Sequence, residues 1–207
     1  MKILAISAHP DDMEISCSGT LKRLKNAGAD IISVVAVKPS QEINPKRSKL
    51  IVQQELDASY AVSKFQLRVF DTPLHSNGRP NLVADNATMT DFEKLLEPCD
   101  IVILPDPQDY HQDHKNTYQL SFPWAVKNAR EIWCAKTMPY CHYHTDNNAN
   151  LFYDISAEWD FKRSLLECYH SYLTPERISN IRIANQYWAQ KSQCIVAEAF
   201  TILQKNV

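Results

Sequence analysis

Glycine is almost missing from this 207-residue chain, with Gly19, Gly28 and Gly78 the whole complement. Phosphate loops of the Gly-x-Gly-x-x-Gly or Walker type need several glycines close together, so that backbone amides can approach the ligand. No such cluster follows the first apolar run. An excess of one charge is missing too. With 22 basic and 24 acidic residues the net charge is −2, so no nucleic-acid or anionic-membrane surface is expected. No apolar run approaches the roughly 20 residues that span a bilayer. The run Ile3 to Ile6 after Lys2 is too short for a signal peptide and is closed by His9-Pro10-Asp11-Asp12. The six cysteines, at 17, 99, 134, 141, 168 and 194, contain no Cys-x-x-Cys pair. Such scatter reads as reduced thiols. These absences predict a soluble, cytoplasmic protein, with homo-oligomerisation left open.

What is present fits one domain over residues 1–207, with 44% hydrophobic residues to form a sizeable core. Ile3 to Ser7 reads as a strand covered on both faces. Cys17, Leu21 and Leu24 follow as one stripe of a helix, stopped at Asn26-Ala27-Gly28 with Gly28 in the left-handed position. Ile31 to Val37 is a second strand. A helix carrying Ile51, Glu55, Ala58 and Val62 on one face comes next, then a third strand from Leu67 to Phe70. Glu55 is an unusual member of an apolar stripe. It reads first as a helix-edge residue whose head reaches water, and second as a group aimed at a site. After a turn-rich loop, Thr72 to Pro80, a short helix around Phe92, Leu95 and Leu96 leads to a fourth strand, Asp100 to Pro105.

A helix is predicted through Trp124 to about Trp133, a fifth strand over Tyr140 to His144, and a loop over Asp146 to Asn150. A helix through Phe161, Leu165, Cys168 and Tyr172 follows, then a last helix opened by Pro175. Cys194 to Leu203 is expected to add an edge strand. Strands alternating with helices predict an α/β fold, a Rossmann-like three-layer sandwich whose mostly parallel sheet carries helices on both faces.

Two strand ends carry the chemistry. Ala8-His9-Pro10-Asp11-Asp12 follows the first strand, and Asp109-Tyr110-His111-Gln112-Asp113-His114 follows the fourth. In open parallel sheets such ends converge on the ligand site. His9, Asp12 and His114 would give a catalytic zinc two imidazoles and one carboxylate, with a position left open. The same set also suits Fe²⁺, Mn²⁺ or Co²⁺. Asp11, next to a ligand, is placed to act as general base. His111 is placed to protonate a leaving amine or steady an oxyanion. Asp113 is placed to hydrogen-bond a histidine of the site and fix its tautomer. Taken singly, the first cluster reads equally well as a helix start with an aspartate cap, and the second reads more readily as a solvated helix start than as a metal site. His75, His170, His142 and His144 are expected at the surface or packed, and Arg79 in a solvated loop.

At these residues the chain resembles the LmbE-like, or PIG-L-like, zinc-dependent N-deacetylases. The resemblance rests on Ala8 to Asp12 with Glu14 and Gly19-Thr20-Leu21, and on Asp109, His111, Asp113 and His114. Weaker matches are Asp154-Ile155-Ser156 with Lys162 and Ser171, and Ala197-Glu198-Ala199-Phe200. Ser18 stands where the family often has glycine, and Val62-Ser63 replaces a frequent Leu-Gly. The resemblance implies a Rossmann-like fold, with His9, Asp12 and His114 as metal ligands, Asp11 as base and His111 as acid or oxyanion stabiliser. It implies hydrolysis of an N-acetyl group on a glucosamine-type sugar or sugar conjugate. Two rivals remain at this point: a metal-dependent phosphoesterase, and a non-catalytic nucleotide-binding module.

Overall fold

The computed structural model describes residues 1–39, 48–77, 79–136 and 148–205. In chain order the elements are β1 (Lys2–Ser7), α1 (Asp12–Ser16), α2 (Ser18–Asn26), β2 (Asp30–Val35), α3 (Lys49–Ser63), β3 (Gln66–Val69) and α4 (Asn86–Glu93). They continue with β4 (Cys99–Pro105), α5 (Gln112–Asn128), β5 (Ala129–Ala135), β6 (Leu151–Asp154), α6 (Trp159–Cys168), α7 (Pro175–Ala189) and β7 (Ala197–Lys205). The strands form one sheet in the order β3-β2-β1-β4-β5-β7-β6. β1 to β5 pair in parallel, and β7 runs against both β5 and β6.

The mostly parallel α/β sheet is the one the alternating pattern predicts. β1 and β4 are buried on both sides, which is why their sequences are unbroken apolar runs. Leu4, Ile6, Val102 and Leu104 pack against α4 and α5 through Phe92, Leu120 and Trp124. Ile3, Ala5, Ile101 and Ile103 pack on the other face against Met13, Leu21, Leu56 and Tyr60 of α1, α2 and α3. The chain leaves β1 towards β2 on one side and reaches β4 on the other. The order therefore reverses at the β1–β4 boundary, where open sheets leave a crevice at their carboxyl edge.

Several expectations fail in detail. The helix expected to reach Trp133 ends at Asn128, and Ala129–Ala135 is β5. The carboxyl-terminal strand is not an edge, because β7 lies between β5 and the unforeseen β6. In α3 the buried face is Val52, Glu55, Leu56, Ser59, Tyr60 and Ser63, while Val62 is 46% exposed. α6 stops at Cys168, before Tyr172. The proposed strand from Tyr140 to His144 lies outside the described residues. Gly28 does take the left-handed turn, at φ +91°.

A fully buried ion pair ties β7 to the helices. Lys162 Nζ on α6 meets Glu198 Oε1 on β7 at 2.6 Å and also donates to the Ile15 carbonyl at 2.7 Å. The Glu198 oxygens accept the Gly19 and Thr20 amides at 3.0 and 2.7 Å, so the carboxylate sits on the unpaired amides at the start of α2. Gly19 has no room for a side chain, since a Cβ there would lie 2.8 Å from Ile155 Cδ1.

Candidate metal centre

Two short loops at the carboxyl edge build the site. Beyond β1, the Ala8 carbonyl still accepts the Val37 amide at 2.8 Å, which carries the ladder to the residue before His9. The chain then turns through Pro10, whose carbonyl accepts the Tyr169 hydroxyl at 2.6 Å, and enters α1. Beyond β4, the Asp109 amide donates to the Asp106 carbonyl at 3.0 Å, and Asp109 Oδ1 accepts the His111 amide at 2.9 Å. His111 sits at the N-cap of α5, where its Nδ1 accepts the Asp113 amide at 3.2 Å. That acceptor role fixes the neutral ring as the Nε2–H tautomer.

Three donor atoms from these loops converge. His9 Nδ1 lies 3.4 Å from Asp12 Oδ2, His114 Nε2 lies 3.2 Å from the same oxygen, and the two ring nitrogens are 3.3 Å apart. An ion with bonds of about 2.0–2.1 Å at tetrahedral angles sets its ligand atoms about 3.3–3.4 Å apart. The residues present therefore fit a divalent cation. The far side of each ring is held by a carboxylate, which can only accept. His9 Nε2 donates to Asp113 Oδ2 at 3.0 Å, and His114 Nδ1 donates to Asp109 Oδ2 at 2.6 Å. Both inward nitrogens are thereby left with lone pairs when the rings are neutral. Asp12 Oδ2 also accepts the His9 amide at 2.7 Å.

His111 brings a ring nitrogen into the same neighbourhood, since His9, His111 and His114 each have one within 4.8 Å of the others. Its ring is exposed and its Nδ1 already accepts from α5, so Asp12 makes the better third donor. Electrostatics agree. Burial alone would lower the two inner imidazoles. Hydrogen bonds to Asp113 and Asp12 instead raise His9 to about 9, and the charge of Asp12 with the Asp109 bond raises His114 to about 11. Burial would raise Asp12, yet His114 and His9 hold it well below the carboxylate range. His111, exposed at its outer edge, is lowered by partial desolvation of the rest of its ring and by the neighbouring His9 and His114. In the absence of an ion, protons hold the centre together.

The other predicted residues separate cleanly. Asp11 is buried at the N-cap position of α1, beside the donor Asp12 and without a side-chain bond to the helix amides. Glu55 follows neither expectation. Its head is buried and accepts the Ser171 amide and hydroxyl at 2.6 and 2.8 Å, joining α3 to the turn after α6. His75, Arg79 and His170 are exposed. His142 and His144 lie outside the described residues. Sequence reasoning gave no role to Asp109, although its Asp-x₄-His spacing to His114 carried the signal. It also missed Tyr169, which reaches the Pro10 carbonyl from 159 residues away and leaves no local trace.

Fold and site together define an α/β domain with a histidine–carboxylate centre at the switch point of its sheet. The profile of the GlcNAc-PI de-N-acetylase (PIG-L) family matches residues 4–125, and the chain belongs to that family. An uncharacterized deacetylase of Escherichia coli K12, YaiS, is 30% identical over 129 residues, which is 58% of this chain and 65% of the relative. The match thus spans just under two thirds of that relative. The N,N'-diacetylchitobiose deacetylase of Pyrococcus horikoshii superposes with a TM-score of 0.78 at 19% identity, covering 98% of this chain and 83% of its own. GalB of Pseudomonas putida KT2440, a 4-carboxy-2-hydroxymuconate hydratase, gives 0.72 at 17% identity over 100% and 97%. One fold serves both a deacetylase and a hydratase, so the reaction has to be argued from the site.

Proposed function

We propose that this protein is a metal-dependent amide hydrolase that removes the N-acetyl group from an N-acetylglucosamine-type sugar or sugar conjugate, releasing acetate and a free amine. The observation that carries the reading is the triangle of His9 Nδ1, Asp12 Oδ2 and His114 Nε2, with edges of 3.2 to 3.4 Å. Membership of the PIG-L family supports the amide as the bond attacked, as does the deacetylase name of the Escherichia coli relative. Zinc is the proposed ion. When bound, it supplies Lewis acidity that polarises a carbonyl oxygen and brings the pKa of water towards neutrality.

The remaining steps belong to side chains. Asp113 and Asp109 keep the outer nitrogens of His9 and His114 protonated, so the inner ones stay available as ligands. The Asp11 carboxylate takes the proton of the attacking water and passes it to the departing nitrogen. His111, neutral and carrying its proton on Nε2, donates to the oxygen that becomes negative in the transition state. Asp11→Asn should therefore keep the ion but lower turnover by roughly 10²- to 10⁴-fold. Loss of the ion in that variant would move Asp11 from base to ligand.

Among the described residues no helix is long and apolar enough to cross a membrane. The five described cysteines are unpaired, which supports a reducing, cytoplasmic location. Elemental analysis paired with an acetate-release screen over N-acetylated sugars tests the whole reading. Stoichiometric metal and acetate release is the expected result. Phosphate release from a phosphoester panel with no acetate, or full activity after metal removal, would overturn it.

A further inference from the structure

A small chamber on the α1 side of the sheet is lined by two of the three donors, Asp12 and His114. Ala5 and Ile103 line it from the strands, Met13 and Cys17 from the helices, and Asp12 and His114 at the end where the ligand atoms lie. It gives about 20 Å³ to the centre of a water-sized group, against the roughly 10–15 Å³ that a single water needs. That is space for about two heavy atoms. The walls between these ends are mainly apolar, with Ser7 and Ser16 as the two hydroxyl-bearing residues. Ser7 also lines the chamber, and lies two residues beyond Ala5 on β1, so strand alternation turns both side chains the same way. Ser7 Oγ is buried, with its residue only 4% exposed, and has no hydrogen-bond partner among the described residues. A buried hydroxyl without a protein partner is uncommon in a folded protein, and calls for an occupant that can pair with it.

We propose that this chamber receives the acyl group of the amide substrate, and that Ser7 Oγ recognises a hydroxyl on its second carbon, so that N-glycolyl sugars are substrates alongside N-acetyl ones. The inference rests on the amide-hydrolase reading above and adds the acyl class. An acetyl group fills the chamber with its methyl and leaves a water's width at Ser7. A glycolyl group fills both positions, CH₂ against the aliphatic wall and OH against Ser7 Oγ. Propionyl has the same number of heavy atoms but presses a methyl onto the hydroxyl, which then has no partner. Sites that pair with a substrate hydroxyl discriminate strongly against the analogue lacking it. The reaction is the ordinary hydrolysis: the acyl C–N bond breaks, hydroxyl from water joins the acyl carbon, its proton goes to nitrogen, and glycolate leaves with the amine.

The test compares kcat/KM for N-acetyl-, N-glycolyl- and N-propionyl-glucosamine with the metal-loaded protein and its Ser7→Ala variant. The glycolyl substrate should exceed the propionyl one by about tenfold in the wild type, and the two should agree within about twofold in Ser7→Ala. Calorimetric Kd values for glycolate and propionate should fall in the same order, independently of turnover. Hydrolysis of the acetyl substrate with glycolyl and propionyl equal, or a glycolyl preference that survives Ser7→Ala, would overturn the assignment while sparing the parent reading. Failure on every N-acylglucosamine, with the metal in place, would remove both.

Discussion

Two of the buried charge clusters in this protein are built on opposite plans. Around Lys162 and Glu198 each charge points at a partner of the other kind, and both side chains are 0% exposed. The carboxylate takes two helix amides and an ammonium, and the ammonium takes a carboxylate and a carbonyl. At the carboxyl edge of the sheet, by contrast, three acceptor atoms face one another across 3.2 to 3.4 Å, and the donors sit on the outside of the rings. His9 there keeps 25% of its side chain exposed. Closed pairing is what a structural tie requires. Acceptors aimed at a shared point, steadied from behind and open to solvent, are what an ion requires. Lys162 and Glu198 thus tie the frame, while the residues after β1 and β4 form the cluster proposed to carry the chemistry.

The contrast predicts that one cluster can be disabled without unfolding the chain and the other cannot. The largest effect is expected from His9→Ala, which should abolish metal retention on dialysis and, with it, amide hydrolysis. The metal-free variant should still fold and unfold cooperatively, losing only the stability that protonated His9 lends the metal-free parent through Asp113 and Asp12. An active His9→Ala enzyme without metal would erase the distinction. Next comes Lys162→Met, which strands the Glu198 carboxylate in the core. Breaking a buried pair on one side costs about 3–5 kcal/mol, a large share of the stability of a domain this size. Denaturant unfolding should show that loss, and saturating metal should recover only what it adds to the parent. A variant as stable as the parent would make the tie dispensable.

A finer effect separates the ligands from the carboxylates behind them. Asp113→Asn and Asp109→Asn leave all three donors in place but remove the charge that orients a ring, so metal affinity should weaken by about 10- to 100-fold rather than vanish. Competition with a chromophoric chelator measures it. If both variants bind as tightly as the parent, the outer carboxylates serve the loop backbone alone, as Asp109 also does through the His111 amide.

How much of this was readable beforehand follows from burial. β1 and β4 are covered on both faces and announce themselves as apolar runs, and the residues that follow them supply all three donors. β5 was hidden because α5 passes into it without an intervening turn: Asn128 is helical and Ala129 already pairs with Cys99. The face of α3 was misread because its buried stripe contains Ser59 and Ser63, and Ser59 is there to bond Glu14 Oε1 at 2.5 Å. Polar residues with a buried partner break the hydrophobic period. Glu55 was misjudged for the same reason, since Ser171 lies 116 residues away. Long-range polar pairing has no local signature, whereas alternation and strand ends do.

The smallest effect divides protons from the ion at the same atoms. In the metal-free protein His9 stands at about 9 and His114 at about 11, both above an unfolded value of 6.5. Groups raised in this way contribute stability that is complete below the unfolded pKa and lost as pH climbs through the folded one. Glu14, raised to about 8 chiefly by burial, acts in the same direction from 4.5 upwards. Asp12 acts oppositely: held well below 3.8, it contributes above that value and fails only in acid. Metal-free stability should therefore decline from about pH 5 through Glu14, and the two imidazoles' share from about pH 6.5 upwards. Metal binding should run the other way, because the ion has to displace protons from the two imidazoles, so Kd tightens with pH and roughly one to two protons are released per ion. Melting curves with and without metal should diverge between about pH 6 and 9, and calorimetry in two buffers of different ionisation enthalpy should register the released protons. Parallel curves and no proton release would mean that no ion sits between these rings, and the edge cluster would then be a second closed network of the Lys162 kind.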